Sequence, residues 1–213
     1  MHTLTTEKEV YAKESDSLLY INIGTQTWMP KNLNVNKFRN GDLIKEALTF
    51  DEWKSDDPRW CYYNFHPGNG KIYGKLYNWA AVNDPRGLAP DGWHIPSLKD
   101  WKKLFEYLGG HIEAGAAMKE EGTVHWAHPN TDANNSSHFR ALPGGLLCTD
   151  KFFQYIHTYG FWWSKDYFEH GPDDAKYPCY ITLNFESGSV EVSHVQHNCG
   201  LSVRCIKDSH HHN

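Results

Sequence analysis

Apolar and polar positions change over in short runs along most of this chain, and one stretch breaks into a clear helical stripe. Leu98, Trp101, Leu104, Phe105 and Leu108 recur at the spacing that sets one helix face against a core. Ser97 precedes them with Asp100 three residues on, a capping-box start, and Gly109-Gly110 supplies the stop. Shorter helical pieces are expected at 74–82, ahead of Pro85, and at 114–119. Elsewhere the pattern is that of strands. Residues 18–23 read as a strand turned at Gly24 onto a partner at 26–29. A hairpin links two alternating runs across Glu186-Ser187-Gly188-Ser189. Centring its turn on Ser187-Gly188 opposes Phe185 to Val190, Leu183 to Val192 and Ile181 to His194. The core face is then Ile181, Leu183, Phe185, Val190 and Val192, and the solvent face Thr182, Asn184, Glu191 and Ser193. Cys179, His194 and Gln196 continue the inner face where apolar character stops, so the core is expected to give way there to a surface. The last strand, 201–206, is expected in the same sheet as 18–23. The sum is an α+β domain: two or three short helices, a small and mostly antiparallel sheet, and long loops.

Composition sharpens this picture. The 213 residues suit one domain, read as 18–208, behind a polar leader or arm at 1–17 and before a tail at 209–213. Aromatics reach 15%, with nine tryptophans, so the core is aromatic and loop-rich. A net charge of −5 excludes a general nucleic-acid footprint. No apolar run is long enough to span a membrane. The N-terminus is too charged for a signal peptide. A surface location therefore requires a removed signal or anchor; otherwise the expectation is cytoplasm or a phage particle. The patterning specifies no oligomeric state.

Five cysteines stand at 61, 148, 179, 199 and 205, without a C-x-x-C spacing. An odd number leaves at least one thiol unpaired within the chain. Cys199 and Cys205 are six apart, roughly 20 Å if extended, too far for a disulfide. Cys205 alternates in phase with Leu201 and Val203 and faces inward, which leaves Cys199 as the more accessible of the two. A Cys61–Cys205 pairing and two buried thiols stay open alternatives.

The candidate chemistry points to recognition. His125 and His128, with His111 and His138 nearby, lack the helical or strand support that a zinc site needs. Asp56-Asp57-Pro58 and Pro172-Asp173-Asp174 read as solvated loop carboxylates. His94 reads as a hydrogen-bonded structural histidine. No nucleophile elbow, P-loop or dinucleotide fingerprint is present. The expectation is no catalytic residue, no metal and no cofactor. Of the neighbours Trp162 and Trp163, one is expected in the core and one at the surface. The expected ligand-binding surface is Trp163, Tyr167, Tyr180, His194, His197 and Asn198, rings and amides of the kind paratopes use.

Several ordered motifs carry a family resemblance. Ile23-Gly24-Thr25-Gln26-Thr27-Trp28-Met29-Pro30-Lys31-Asn32-Leu33 is similar to the opening of the Fibrobacter succinogenes major paralogous domain. The resemblance runs on through Trp60-Cys61-Tyr62-Tyr63-Asn64, Tyr73-Gly74-Lys75-Leu76-Tyr77-Asn78-Trp79 and Leu88-Ala89-Pro90-Asp91-Gly92-Trp93-His94-Ile95-Pro96-Ser97 with Trp101. Phe139-Arg140-Ala141-Leu142-Pro143-Gly144-Gly145, Gly160-Phe161-Trp162-Trp163-Ser164 and Ser202-Val203-Arg204-Cys205 complete it, over roughly residues 20–208. The resemblance implies a C-type-lectin-like fold without established enzymatic activity, common in Bacteroidetes and often on secreted or lipid-anchored proteins. It implies a domain that recognises a protein or glycan. A second resemblance is to variable proteins of diversity-generating retroelements, whose mutagenesis converts Asn codons near the C-terminus to Tyr, His, Asp, Ser or Cys. Tyr167, His170, Tyr177, Cys179, Tyr180, His194, His197, Asn198 and Cys199 fit that set. Two alternatives remain: an oxidase resembling formylglycine-generating enzymes, and a purely structural surface or phage-tail module.

Overall fold

The computed structural model describes residues 12–13, 19–148, 152–168 and 176–209. Most of the arm at 1–17, His170, the 172–174 loop and the tail from 210 lie outside the described residues. The five described α-helices are α1 (Phe50–Trp53), α2 (Pro67–Tyr73), α3 (Trp79–Val82), α4 (Leu98–Tyr107) and α5 (His111–Met118). Thirteen strands accompany them. The first seven are β1 (Ala12–Lys13), β2 (Leu19–Ile23), β3 (Gln26–Trp28), β4 (Lys45–Glu46), β5 (Arg59–Cys61), β6 (Leu76–Tyr77) and β7 (Trp93–His94). The rest are β8 (Gly144–Leu147), β9 (Phe153–Ile156), β10 (Tyr159–Phe168), β11 (Tyr177–Asn184), β12 (Val190–His194) and β13 (Ile206–Lys207). The class is mixed α+β, with several small and mainly antiparallel sheets.

The local signals work where they are local. Helix α4 has the full capping box: Asp100 N donates to Ser97 Oγ at 3.2 Å, and Ser97 N to Asp100 Oδ2 at 2.9 Å. Its stripe is buried through Trp101, Leu104 and Phe105. The expected helix at 74–82 is divided instead. Tyr77 and Leu201 exchange backbone hydrogen bonds at 2.9 and 3.2 Å, which pulls β6 out straight. Asn78 then caps the single turn of α3.

The two ends of the domain meet, though not as the alternation implies. One sheet runs in the order β1-β2-β3-β13-β7, so β3 lies between the N-terminal strand and the final one. The final strand is only Ile206–Lys207. Residues 201–205 thread the core and bond to several partners in turn. Leu201 meets Tyr77, Ser202 bridges Trp162, and the carbonyls of Val203 and Cys205 accept from Leu33 and Met29.

In the sheet of β10, β11 and β12, the stretches 160–164 and 181–183 are buried on both faces. On one lie Trp162, Ile181, Leu183 and Val190 with α4 and α5. On the other, Phe161 and Trp163 pack with Tyr77, Leu146, Leu201 and Val203. Thr182, expected on a solvent face, is therefore 7% exposed. The hairpin register is two residues from the sequence reading: Leu183 faces Val190, Ile181 faces Val192, and Cys179 faces His194. A slip of two keeps every face and lengthens the loop. A buried lysine holds that loop open. Lys119 Nζ donates to Asn184 O at 3.0 Å, Ser187 O at 2.8 Å and Thr131 O at 2.8 Å. Burial pushes its pKa down to about 8, while three carbonyl acceptors favour the charged form.

One more buried cation knits the chain. Arg204, 1% exposed, donates to Asn32 Oδ1, Met29 O and Phe139 O at 2.8–3.1 Å, with its guanidinium 4.3 Å from the Phe139 ring.

Candidate functional site

Strand β10 sets the site by failing to stay regular. Its pairing with β11 shifts between Trp163 and Tyr167, a bulge. The bulge is stitched to the turn before α4. Ser164 Oγ donates to Pro96 O at 3.2 Å, and Lys165 N to the same oxygen at 2.9 Å. Asp166 Oδ2 accepts from Leu98 N at the start of α4. Beyond the bulge, Tyr167 turns toward α3. Its hydroxyl accepts from Trp79 Nε1 at 2.8 Å, and the two rings meet edge to face at 5.1 Å.

The loop from Val195 to Gly200 closes over this aromatic floor. Val195 N donates to Pro178 O at 3.1 Å, Trp79 N to His197 O at 3.1 Å, and Trp53 Nε1 to Asn198 O at 2.8 Å. The backbone is fixed while the side chains of Gln196, His197 and Asn198 stay exposed. A cavity of about 470 Å³ opens here, lined in part by Asp56, Asn78, Trp79, Tyr177, His197 and Asn198. The His197 ring lies 6.1 Å from that of Tyr167.

The six expected residues separate into four groups. His197 and Asn198 line the cavity, and Tyr167 joins them through its ring contact with His197. Tyr180 is half-buried, its ring 5.7 Å from Phe161, and burial raises its phenol pKa. His194 is exposed and projects from β12 to the opposite side from its neighbour Ser193. There it stacks on Phe168 at 4.5 Å, with Tyr177 5.5 Å away linking it to the cavity. Trp163 is not at a surface. It is 0% exposed and its Nε1 donates to Tyr77 O at 2.8 Å. Trp162 is equally buried, its Nε1 donating to Asn32 Oδ1 at 2.8 Å. Both faces of β10 are covered, so alternation gives neither indole a way out.

The cysteines also differ from expectation. Cys199 is 1% exposed and Cys205 0%, so Cys199 is not the accessible thiol. Gly200 exchanges both backbone hydrogen bonds with Leu147, which draws Cys199 beneath the loop. Cys61 and Cys205 are unpaired buried thiols in separate clusters. Burial pushes Cys205 up to about 12 and Cys179 up to about 11.

Sequence reasoning missed the near wall of the cavity. Asp56, Asn78, Trp79 and Trp53 all come from the first 80 residues. The readable signal was Asn78-Trp79, since Asn78 caps α3 and thereby fixes Trp79 as the floor. Among the described residues no three or more His, Cys, Asp or Glu side chains group as a metal site would. Among them, too, no helix is long and apolar enough to cross a membrane.

No curated protein and no solved structure matches the chain. The motifs that run from the β2–β3 hairpin to the Arg204 clamp are matched as a set by one family model, over residues 21–207, and the chain belongs to that family, the Fibrobacter succinogenes major domain.

Proposed function

We propose that this chain is a non-catalytic binding domain of C-type-lectin-like architecture that recognises a protein or glycan at the cavity between α3 and the 195–200 loop. The observation that carries the reading is the contrast between fixed backbone and free side chains there. Asn198 O and His197 O are held by Trp53 and Trp79, while the His197 and Asn198 side chains point to solvent. A hydrogen-bonding rim over an aromatic floor suits a polar ligand that also offers an apolar face. The rigid scaffold lets rim residues vary without loss of the fold.

Diversification of this rim, as in retroelement variable proteins, fits Tyr167, Tyr177, Tyr180, His194, His197 and Asn198. The buried Cys179 and Cys199 fall outside such a set. The reading as a binder draws support from the buried, high-pKa thiol of Cys205, which is poorly suited to oxidase chemistry.

The test is a screen of glycan and protein arrays followed by titration of the captured ligand. Replacing His197 with Ala is expected to weaken binding by about 1–2 kcal/mol with the fold intact. If alanine at Tyr167, Tyr180, His197 and Asn198 all leave affinity untouched, the site is wrong, and the face around 125–140 is tested next. Copper-dependent oxygen consumption by the purified chain would overturn the non-catalytic reading.

A further inference from the structure

Cys148 and Cys199 stand 51 residues apart in sequence, yet their sulfurs are 4.0 Å apart. The backbone explains the approach. Leu147 and Gly200 form an antiparallel bridge, with Leu147 N donating to Gly200 O at 3.0 Å and Gly200 N to Leu147 O at 2.8 Å. The next pair outward in that register is Cys148 opposite Cys199. It is a non-hydrogen-bonded pair, the position where facing Cβ atoms come closest. Both strands are held there from outside the bridge. Cys148 N donates to Phe152 O at 3.1 Å, and Cys199 N closes a turn onto Gln196 O at 3.2 Å. Gly200 fits only as glycine, because a Cβ there would sit 2.7 Å from the Trp53 ring. The two thiols are thus presented to each other by a bridge that leaves little room for other arrangements.

We propose that Cys148 and Cys199 are a dithiol modification site that small-molecule disulfides oxidise to an intramolecular disulfide. The entry point is Cys148, which is half-buried, while Cys199 lies beneath the loop. The Cys148 thiolate attacks one sulfur of a low-molecular-weight disulfide such as oxidised glutathione, and one thiol leaves. The Cys199 thiolate then attacks Cys148 Sγ in the mixed disulfide and expels the second thiol. The protein gives up two electrons and two protons, and the small disulfide takes them as two free thiols. Closing the bond needs the sulfurs to move from 4.0 Å to about 2.05 Å, a side-chain adjustment at a pair already in register. Cys61, Cys179 and Cys205 are buried and their thiol pKa values are raised by burial, so they stay out of the exchange.

The disulfide ties the loop bearing His197 and Asn198 to the end of β8. The consequence for ligand binding rests on the function proposed above; the thiol chemistry does not. The experiment therefore reads chemistry first. The full chain is equilibrated with oxidised and reduced glutathione, quenched in acid, unfolded and alkylated. Alkylated cysteines are expected to fall from five to three. Peptide mass spectrometry should show 148 joined to 199, and the oxidised chain should melt at a higher temperature. Cys148→Ala, checked by circular dichroism, is expected to retain all four remaining thiols and show no rise in melting temperature. A stable glutathione adduct on Cys148 without closure would overturn the proposal. So would a disulfide to Cys61, Cys179 or Cys205, or five alkylated thiols at every poise. If the 148–199 bond forms but affinity for an array-selected ligand is unchanged, the dithiol site stands and the binding surface is the part that is wrong.

Discussion

The two ends of the β10–β11–β12 sheet carry the same alternation and have opposite fates. At the Leu183 end the hairpin is sealed. Leu183 and Val190 face each other at 0% and 2% exposure, Lys119 fills the loop, and Ala116 N donates to Gly188 O at 2.8 Å. At the Cys179 end the sheet is open. Val192 is 43% exposed although it faces the buried Ile181, and Phe168 and His194 stack at the surface. What differs is what lies across the sheet: helix α5 and a buried ammonium at one end, and the short 195–200 loop at the other. Alternation records the pleat of a strand; cover comes from distant chain.

The sharpest way to break this contrast is a matched pair of truncations. Leu183→Ala is expected to cost about 2–5 kcal/mol of unfolding free energy, and Val192→Ala less than about 1 kcal/mol. Urea titration of both variants checks it, and equal losses would mean that Val192 is covered as fully as Leu183. Next in size is Gly115→Ala. An added Cβ would sit 2.4 Å from the Ser189 carbonyl oxygen, which is backbone and cannot swing away. A loss of about 1–3 kcal/mol is expected by the same titration, even though alanine is the better helix former. A neutral result would mean the sealed end gives more readily than its packing implies. At the open end, His197→Ala should cost about 1–2 kcal/mol of affinity for a captured ligand with the melting temperature unchanged. A drop in melting temperature instead would assign His197 to the fold.

The smallest effect concerns pH and serves as a control away from both ends. His94 Nδ1 lies 2.6 Å from Asp208 and its Nε2 3.4 Å from Asp100. These partners, Asp100 first, raise its pKa above 6.5. The stabilisation is complete below 6.5 and is lost as pH rises through the raised value. On the acid side Asp100, held down to about 2 chiefly by His94, contributes above 3.8 and loses its share as pH falls toward that lower value. A small fall in melting temperature is expected as pH rises through neutrality, and His94→Gln should flatten it. An unchanged slope in the variant would assign the dependence to other groups.

What the sequence revealed follows the same division. The α4 stripe, its capping box and the β2–β3 hairpin are written within a few residues of each other, and all three stand in the structure. The hairpin register is not local: the ammonium that holds its loop open belongs to Lys119. Nor is the burial of Trp163, which depends on Leu201 and Val203 threading over β10. Residues 201–205 look like a strand because they alternate, but their hydrogen bonds go to Tyr77, Phe161, Leu33 and Met29 in turn. For the site, the exposed ring and imidazole positions at 167 and 197 were legible. For the floor the only local signal was the Asn78 cap that sets Trp79, and a buried tryptophan reads the same whether or not a cavity lies above it.

The Arg204 clamp bears on where such a chain can be cut. Its acceptors are Asn32, Met29 and Phe139, so regions far earlier in the sequence take hydrogen bonds from residue 204. Without it the Met29 and Phe139 carbonyls would lose their buried guanidinium donor, and Asn32 Oδ1 would keep only Trp162 Nε1. A chain cut before residue 204 is therefore expected to lose cooperative unfolding, which a urea titration would show.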